Sequence, residues 1–186
     1  MWSLYVFRKK LLDEMSKMFE TKAYHQSGLK NAEKSLNWQS FFVSDHENLW
    51  LGKGIYFWER YQDACWWDGG YIHPVVLSVD LKCEEDLFLN LDNRNQKKAF
   101  IDYMANVIEQ AKKNGCDILS PTDDIIAGGS CNYYKNKFRT KLIKYSFPEV
   151  NGKPQFCATD SSVTRNVKMV SFDQNGIFME VQNEFF

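Results

Sequence analysis

Over the first twenty positions apolar residues recur three and four apart. Leu4, Phe7, Leu11, Met15 and Met18 form a stripe between charges, which predicts an N-terminal amphipathic helix over 1–20. The period then changes. Residues 21–27 predict a short strand on which Ala23 and His25 share a face. Gly28 opens a polar helical segment ending near Asn37, and 38–43 is an aromatic, apolar strand or loop laid on the core. A turn-like cluster at 45–48 precedes a strand that ends at Trp58. Residues 60–67 are helical until Gly69 and Gly70 stop them. Across 73–81 Val75, Leu77 and Val79 alternate against Val76 as in a strand, and 87–91 predicts another. A long helix is expected over 95–114, with Phe100, Met104, Val107, Ile108 and Ala111 as its stripe and Gly115 as its cap. A further helix over 122–137 and late strands at 141–147, 167–172 and 177–181 complete the pattern.

This mixed order is not a regular alternation of strand and helix. It predicts an α+β fold with a largely antiparallel or split sheet. At 186 residues, with four prolines, ten glycines and no linker-like stretch, the chain is expected to form a single domain over 1–186. The net charge of −1 argues against a protein built mainly to hold nucleic acid. The basic run Lys135, Lys137, Arg139, Lys141 and Lys144 is expected to be a solvated face. Five cysteines, at 65, 83, 116, 131 and 157, form no C-x-x-C pair and follow no secretory signal. They are expected to be reduced, mostly buried thiols in a cytoplasmic protein. The apolar start at 1–7 is interrupted by Arg8, Lys9 and Lys10, too early to cross a membrane.

The chemistry concentrates in Gly52-Lys53-Gly54-Ile55-Tyr56-Phe57. Two glycines before a strand allow a tight bend and close approach of backbone to a ligand, and Tyr56 beside the bend can stack on a flat ring. About thirty residues upstream lies Tyr24-His25-Gln26-Ser27, and downstream Ala64 is followed by Trp66 and Trp67. Together these residues resemble the ADP-ribosyltransferases of the poly(ADP-ribose) polymerase and diphtheria-toxin type, above all small bacterial members with a Trp-Leu-Gly-x-Gly-Ile-Tyr-Phe motif. Here that motif is Trp50-Leu51-Gly52-Lys53-Gly54-Ile55-Tyr56-Phe57. The likeness covers about residues 22–92.

The resemblance implies a split β-sheet core flanked by helices and NAD as the consumed substrate, with no metal. His25 would hydrogen-bond the ribose, Tyr56 would stack on the nicotinamide, and Trp66 or Trp67 would face it from the other side. Gln26 stands where the family has a glycine that holds the carboxamide, and Ser27 and Gly54 complete the motif positions. The family also places a carboxylate, sometimes a glutamine, on a late strand beside the charge that develops as the nicotinamide leaves. Counting back nine residues from Ile177 puts Lys168 there. A fixed cation ~5 Å from that charge would oppose it by about 3 kcal/mol at an effective dielectric of ~20, roughly two orders of magnitude in rate. Glu180 and Glu184 are the alternative carboxylates, whereas Glu59 and Asp63 are expected on the surface.

The resemblance therefore implies a mono-ADP-ribosyltransferase of the kind found among bacterial toxins and defence effectors. Its acceptor would be a protein or nucleic acid, or water, and an antitoxin would be a natural partner. Three other readings stand beside it: an inactive module binding NAD or ADP-ribose, an RNA 2′-phosphotransferase, and an interaction domain with an aromatic surface. His46 and His73 lack zinc-ligand spacing, Cys65 is expected to be a buried thiol, and Asp117, Asp123 and Asp124 are expected to cap a helix.

Overall fold

The computed structural model describes residues 17–46, 49–115, 126–172 and 178–181. In chain order the elements are β1 (Met18–Gly28), α1 (Leu29–Trp38), β2 (Ile55–Trp58), α2 (Tyr61–Trp66), β3 (Pro74–Glu84) and β4 (Phe88–Asn90). There follow α3 (Arg94–Lys113), α4 (Gly128–Phe138), β5 (Leu142–Phe147), β6 (Lys153–Ala158), β7 (Thr164–Phe172) and β8 (Phe178–Val181). The fold is α+β. The eight strands form one sheet in the order β4-β5-β6-β2-β1-β3-β7-β8. Neighbours are antiparallel except β4 and β5, which run parallel.

The seam between β2 and β1 is unlike the others. β1 pairs with β3 along its whole length, from Met18 opposite Glu84 to Gly28 opposite Pro74. With β2 it shares a single register pair, Tyr24 opposite Trp58. The sheet thus consists of two well-paired halves joined at one point.

Beneath one face the halves share a core. Ala23 of β1, Ile55 and Phe57 of β2, Leu77, Val79 and Leu81 of β3, Leu142 of β5 and Phe156 and Ala158 of β6 are buried with Ala32 and Leu36 of α1. Burying a large side chain such as Phe57 or Phe156 contributes roughly 1.5–3 kcal/mol, so this layer holds the halves together where the ladder does not. On the other face Phe100 and Met104 of α3 and Cys131 of α4 pack on Leu89, Ile143 and Cys157. The small α2 seats Ala64 against Trp58 and Val76.

Several elements differ from the sequence expectation. Met18, Phe19 and Glu20 belong to β1 and not to an N-terminal helix, because they continue the ladder opposite Glu84, Cys83 and Lys82. The earlier part of that expected helix lies outside the described residues. Residues 41–43 are a loop, and Ser44 makes an isolated bridge to Gly54. Helix α4 begins at Gly128, six residues later than expected, while 122–125 and the aspartates at 117, 123 and 124 lie outside the described residues. Strand β6 was not anticipated at all. Among the described residues no helix is long and apolar enough to cross a membrane.

Helix α1 ends at Gln39, in the left-handed region at φ 50°. Its amide then ties the helix to β7. Nε2 donates to the carbonyls of Leu36 (2.8 Å) and Val167 (3.1 Å), while Oε1 accepts from the Val167 N–H (2.8 Å). Gln39→Ala removes all three bonds and is expected to cost about 1–3 kcal/mol, lowering Tm by several degrees with the far-UV spectrum unchanged. An unaltered Tm would contradict this docking role.

Candidate functional site

The seam between β1 and β2 opens onto a cavity of about 290 Å³. His25 and Gln26 of β1, Tyr56 and Trp58 of β2 and Gln155 of β6 line it from the sheet. Ser44, His46, Leu49 and Trp50 contribute from the segment before β2, and Trp67, Gly69 and Tyr71 from the segment after α2. Five of the lining residues are aromatic. No Asp, Glu, Lys or Arg side chain is among these described residues; 47 and 48 lie outside them. A larger groove of about 550 Å³ runs along β3 and β7, lined by Asp80, Lys82, Lys141 and Arg165 among others. Its charges are mixed and none of the motif residues reaches it.

By strand alternation His25 belongs with Ala23 on the shared-core face. Its ring packs edge-on against Phe41 (5.0 Å between centroids) and lies 5.7 Å from Phe57. It nonetheless reaches the cavity on the opposite side, because the sheet is open beside Tyr24 and Trp58. Its Nδ1 lies 2.8 Å from the backbone carbonyl of Tyr56. A carbonyl can only accept, so Nδ1 carries the hydrogen and the neutral ring leaves Nε2 as an acceptor. Burial lowers the imidazole pKa below its ordinary value, opposed by the bond to Tyr56, so the neutral ring is the stable form in the fold.

Tyr56 is fixed at its far end. Its hydroxyl donates to the Gly52 carbonyl (2.8 Å) and accepts from the Leu51 N–H (2.9 Å). Burial, reinforced by the neighbouring Cys157, pushes the phenol pKa well above its ordinary value, so the hydroxyl remains a donor and the ring is held beside the cavity. The turn it grips is also clamped from behind. The Lys135 ammonium, buried on α4, donates to the carbonyls of Leu51 (3.0 Å) and Lys53, and Asn132 Oδ1 accepts from the Lys53 N–H (2.8 Å). Lys135 is therefore not part of a solvated basic face: its charge answers carbonyls that the turn leaves without strand partners.

The two glycines have separate reasons. Gly52 has φ +77°, and a Cβ there would run into the Asn132 side chain and the Gly128 carbonyl. Gly54 lies so close to β6 that a Cβ would overlap Cys157 Sγ and the Ala158 carbonyl. Close approach of β2 to β6 thus needs Gly54, and it brings Gln155 opposite Trp58.

Gln155 is 4% exposed and lines the cavity, and its Oε1 has no hydrogen-bond partner among the described residues. A buried amide oxygen without a partner costs about 1–3 kcal/mol, a cost that a ligand donor reaching it would relieve. Sequence reasoning missed it because β6 itself was missed. The Asn151-Gly152 pair, both residues at positive φ between β5 and β6, was the available signal.

The other expected site residues fall as follows. Gln26 lines the cavity, with its Oε1 accepting from the Gly69 N–H at 3.4 Å. Of the two tryptophans, Trp67 lines the cavity and Trp66 does not, though both rings meet Trp58. Ser27 is buried opposite Val75 on β3, and Gly54 immediately precedes β2 against β6; neither lines the cavity. Lys168 is on β7 opposite Ser78 and does not line the cavity. The count back from Ile177 led to β7, whereas the late strand that borders β2 is β6. Glu180 pairs with Val170 on β8, the edge strand farthest from β2 on that side, and Glu184 lies outside the described residues.

Glu59 is ion-paired with Lys144. Asp63, expected on the surface, is buried between Lys153 (2.7 Å) and Arg60 (3.1 Å). Cys83, Cys131 and Cys157 are buried and Cys65 is exposed, contrary to expectation for Cys65; Cys116 lies outside the described residues. No family model, curated protein or solved structure matches the chain.

Because the folded His25 resists protonation while the unfolded imidazole titrates near 6.5, the unfolded chain binds more protons as pH falls below that value. The stability His25 provides is present above pH 6.5 and declines on acidification toward its lower folded pKa. Melting curves between pH 7.5 and 5.5 should fall more steeply for the parent than for His25→Gln. Parallel slopes would contradict a half-buried, neutral histidine.

Proposed function

We propose that the chain is an NAD-binding protein with an ADP-ribosyltransferase-like split-sheet fold, which breaks the bond between nicotinamide and ribose and passes ADP-ribose to an acceptor. The observation that carries this reading is the aromatic cavity at the open seam, where His25, Tyr56 and Gln155 meet. Oxidised nicotinamide is a flat cation. Indole and phenol faces attract such a ring by cation–π interaction, worth ~0.5–2 kcal/mol depending on desolvation. The bound ring would stack on Tyr56, with Trp67 across from it.

His25 Nε2, an acceptor, suits a ribose hydroxyl. Gln155 Oε1 offers the negative end of an amide dipole to the positive charge that develops at the ribose as nicotinamide departs. The opposing charge that Lys168 would have supplied does not arise, since Lys168 lies on β7. The resemblance to bacterial members that use glutamine in place of a carboxylate supports Gln155 in that role.

A second reading is favoured by one specific observation: among the described residues no carboxylate lines the cavity. An amide stabilises a developing cation less than a carboxylate does, so a module that binds NAD without turnover fits the same geometry. The acceptor of an active enzyme would be a protein, a nucleic acid or water.

Purified protein incubated with NAD is the test. Binding should be several-fold tighter for NAD⁺ than for NADH, whose reduced ring carries no charge. Nicotinamide release should drop about a hundredfold in His25→Ala. Binding without release would favour the binding module, and equal or absent binding of both forms would contradict the proposal.

A further inference from the structure

If the cavity cleaves NAD, an acceptor hydroxyl must lose its proton, and most of the described residues that line the cavity are unable to take it. Gln155 ends in an amide, which is not a base at neutral pH. His25 has Nδ1 bonded to the Tyr56 carbonyl, and its Nε2 faces the ribose in the reading above. The Tyr56 hydroxyl is committed to Gly52 and Leu51. Tyr71 carries a phenol, whose neutral oxygen is a much weaker proton acceptor than an imidazole nitrogen. One further imidazole lines the cavity: His46.

The segment that leads into His46 is tied to the turn before β2 at two points. Two positions earlier, Ser44 exchanges both backbone bonds with Gly54, its N–H donating to the Gly54 carbonyl (2.8 Å) and its carbonyl accepting from the Gly54 N–H (3.1 Å). This fastens the segment to the start of β2, two residues from Tyr56. The adjacent Asp45 is ion-paired with Lys53 at 2.7 Å, a second tie to the same turn. His46 is solvent-exposed on one side and lines the cavity on the other, which is where an acceptor arriving from solvent must pass.

We infer that His46 is the general base that activates the acceptor, an assignment that rests on the cavity being an NAD-cleaving site. In the step, an acceptor hydroxyl oxygen bonds to the ribose carbon as the carbon–nitrogen bond to nicotinamide breaks. The electron pair of that bond goes to the ring nitrogen, which becomes neutral, and the acceptor's proton passes to the His46 imidazole. Water in place of the acceptor gives hydrolysis by the same balance. The division of labour differs from a site with a carboxylate: Gln155 supplies the dipole and His46 supplies the proton acceptor.

The test compares parent and His46→Gln in NAD⁺ binding and in nicotinamide release, with water and then with azide as nucleophile. Azide is already anionic and needs no base. With water, release should fall about a hundredfold in the variant, within the ordinary contribution of general base catalysis, while NAD⁺ binding and Tm stay as in the parent. With azide, variant and parent should release nicotinamide at similar rates. Undiminished release with water, loss of NAD⁺ binding, or failure of azide to restore release would each overturn the assignment. Absence of release in the parent would remove the NAD-cleaving reading itself, and the role of His46 with it.

Discussion

The site depends on one bond that a continuous sheet would not make. Where β1 and β2 part company after Tyr24 and Trp58, the Tyr56 carbonyl is taken by His25 Nδ1 at 2.8 Å. A buried carbonyl must find a donor, and here the donor is a side chain. That choice fixes three things together. It keeps the seam open, it sets the tautomer of His25, and it holds the imidazole where a histidine from the opposite face of the sheet reaches the cavity. The halves stay joined because Ala23, Phe57, Phe156 and their neighbours share one buried layer below the seam.

Rigidity around the seam comes from the turn before β2. Tyr56 grips it through its hydroxyl, the Lys135 ammonium through two carbonyls, and Asn132 through an N–H. A buried ammonium is costly unless its hydrogens are well bonded, so its presence on α4 shows how strongly the turn's unpaired carbonyls need a donor. The result is a ring, Tyr56, whose position is set at both ends of the side chain. Preorganised walls of this kind lower the ordering cost of binding a flat ligand.

Much of this was legible in the sequence, and what was not has physical reasons. The glycine-flanked Ile55-Tyr56-Phe57 strand, the His25 strand and the long helix α3 announce themselves through strong local patterns. Trp67 could not be separated from Trp66, because adjacent residues at a helix end differ only in direction, which the chain path after α2 decides. Lys135 and Asp63 read as surface charges, since Leu51 and Lys53, which Lys135 bonds, and Lys153, which pairs with Asp63, lie 82 or more residues away in sequence. Strand β6 was hidden by Lys153 and Pro154 at its start, although Asn151-Gly152 marks a hairpin. With β6 unseen, counting from the C-terminal strands led to Lys168 on β7, and Gln155 was overlooked.

The central claim is that the open seam binds oxidised nicotinamide beside a neutral, Nδ1-protonated His25. Nitrogen-15 NMR of histidine-labelled protein, before and after adding NAD⁺, tests it most directly. The expected result is an Nδ1–H tautomer for His25 at neutral pH, with its unprotonated Nε2 signal shifting as NAD⁺ saturates the site. A charged or Nε2-protonated His25, or a signal indifferent to NAD⁺, would contradict it.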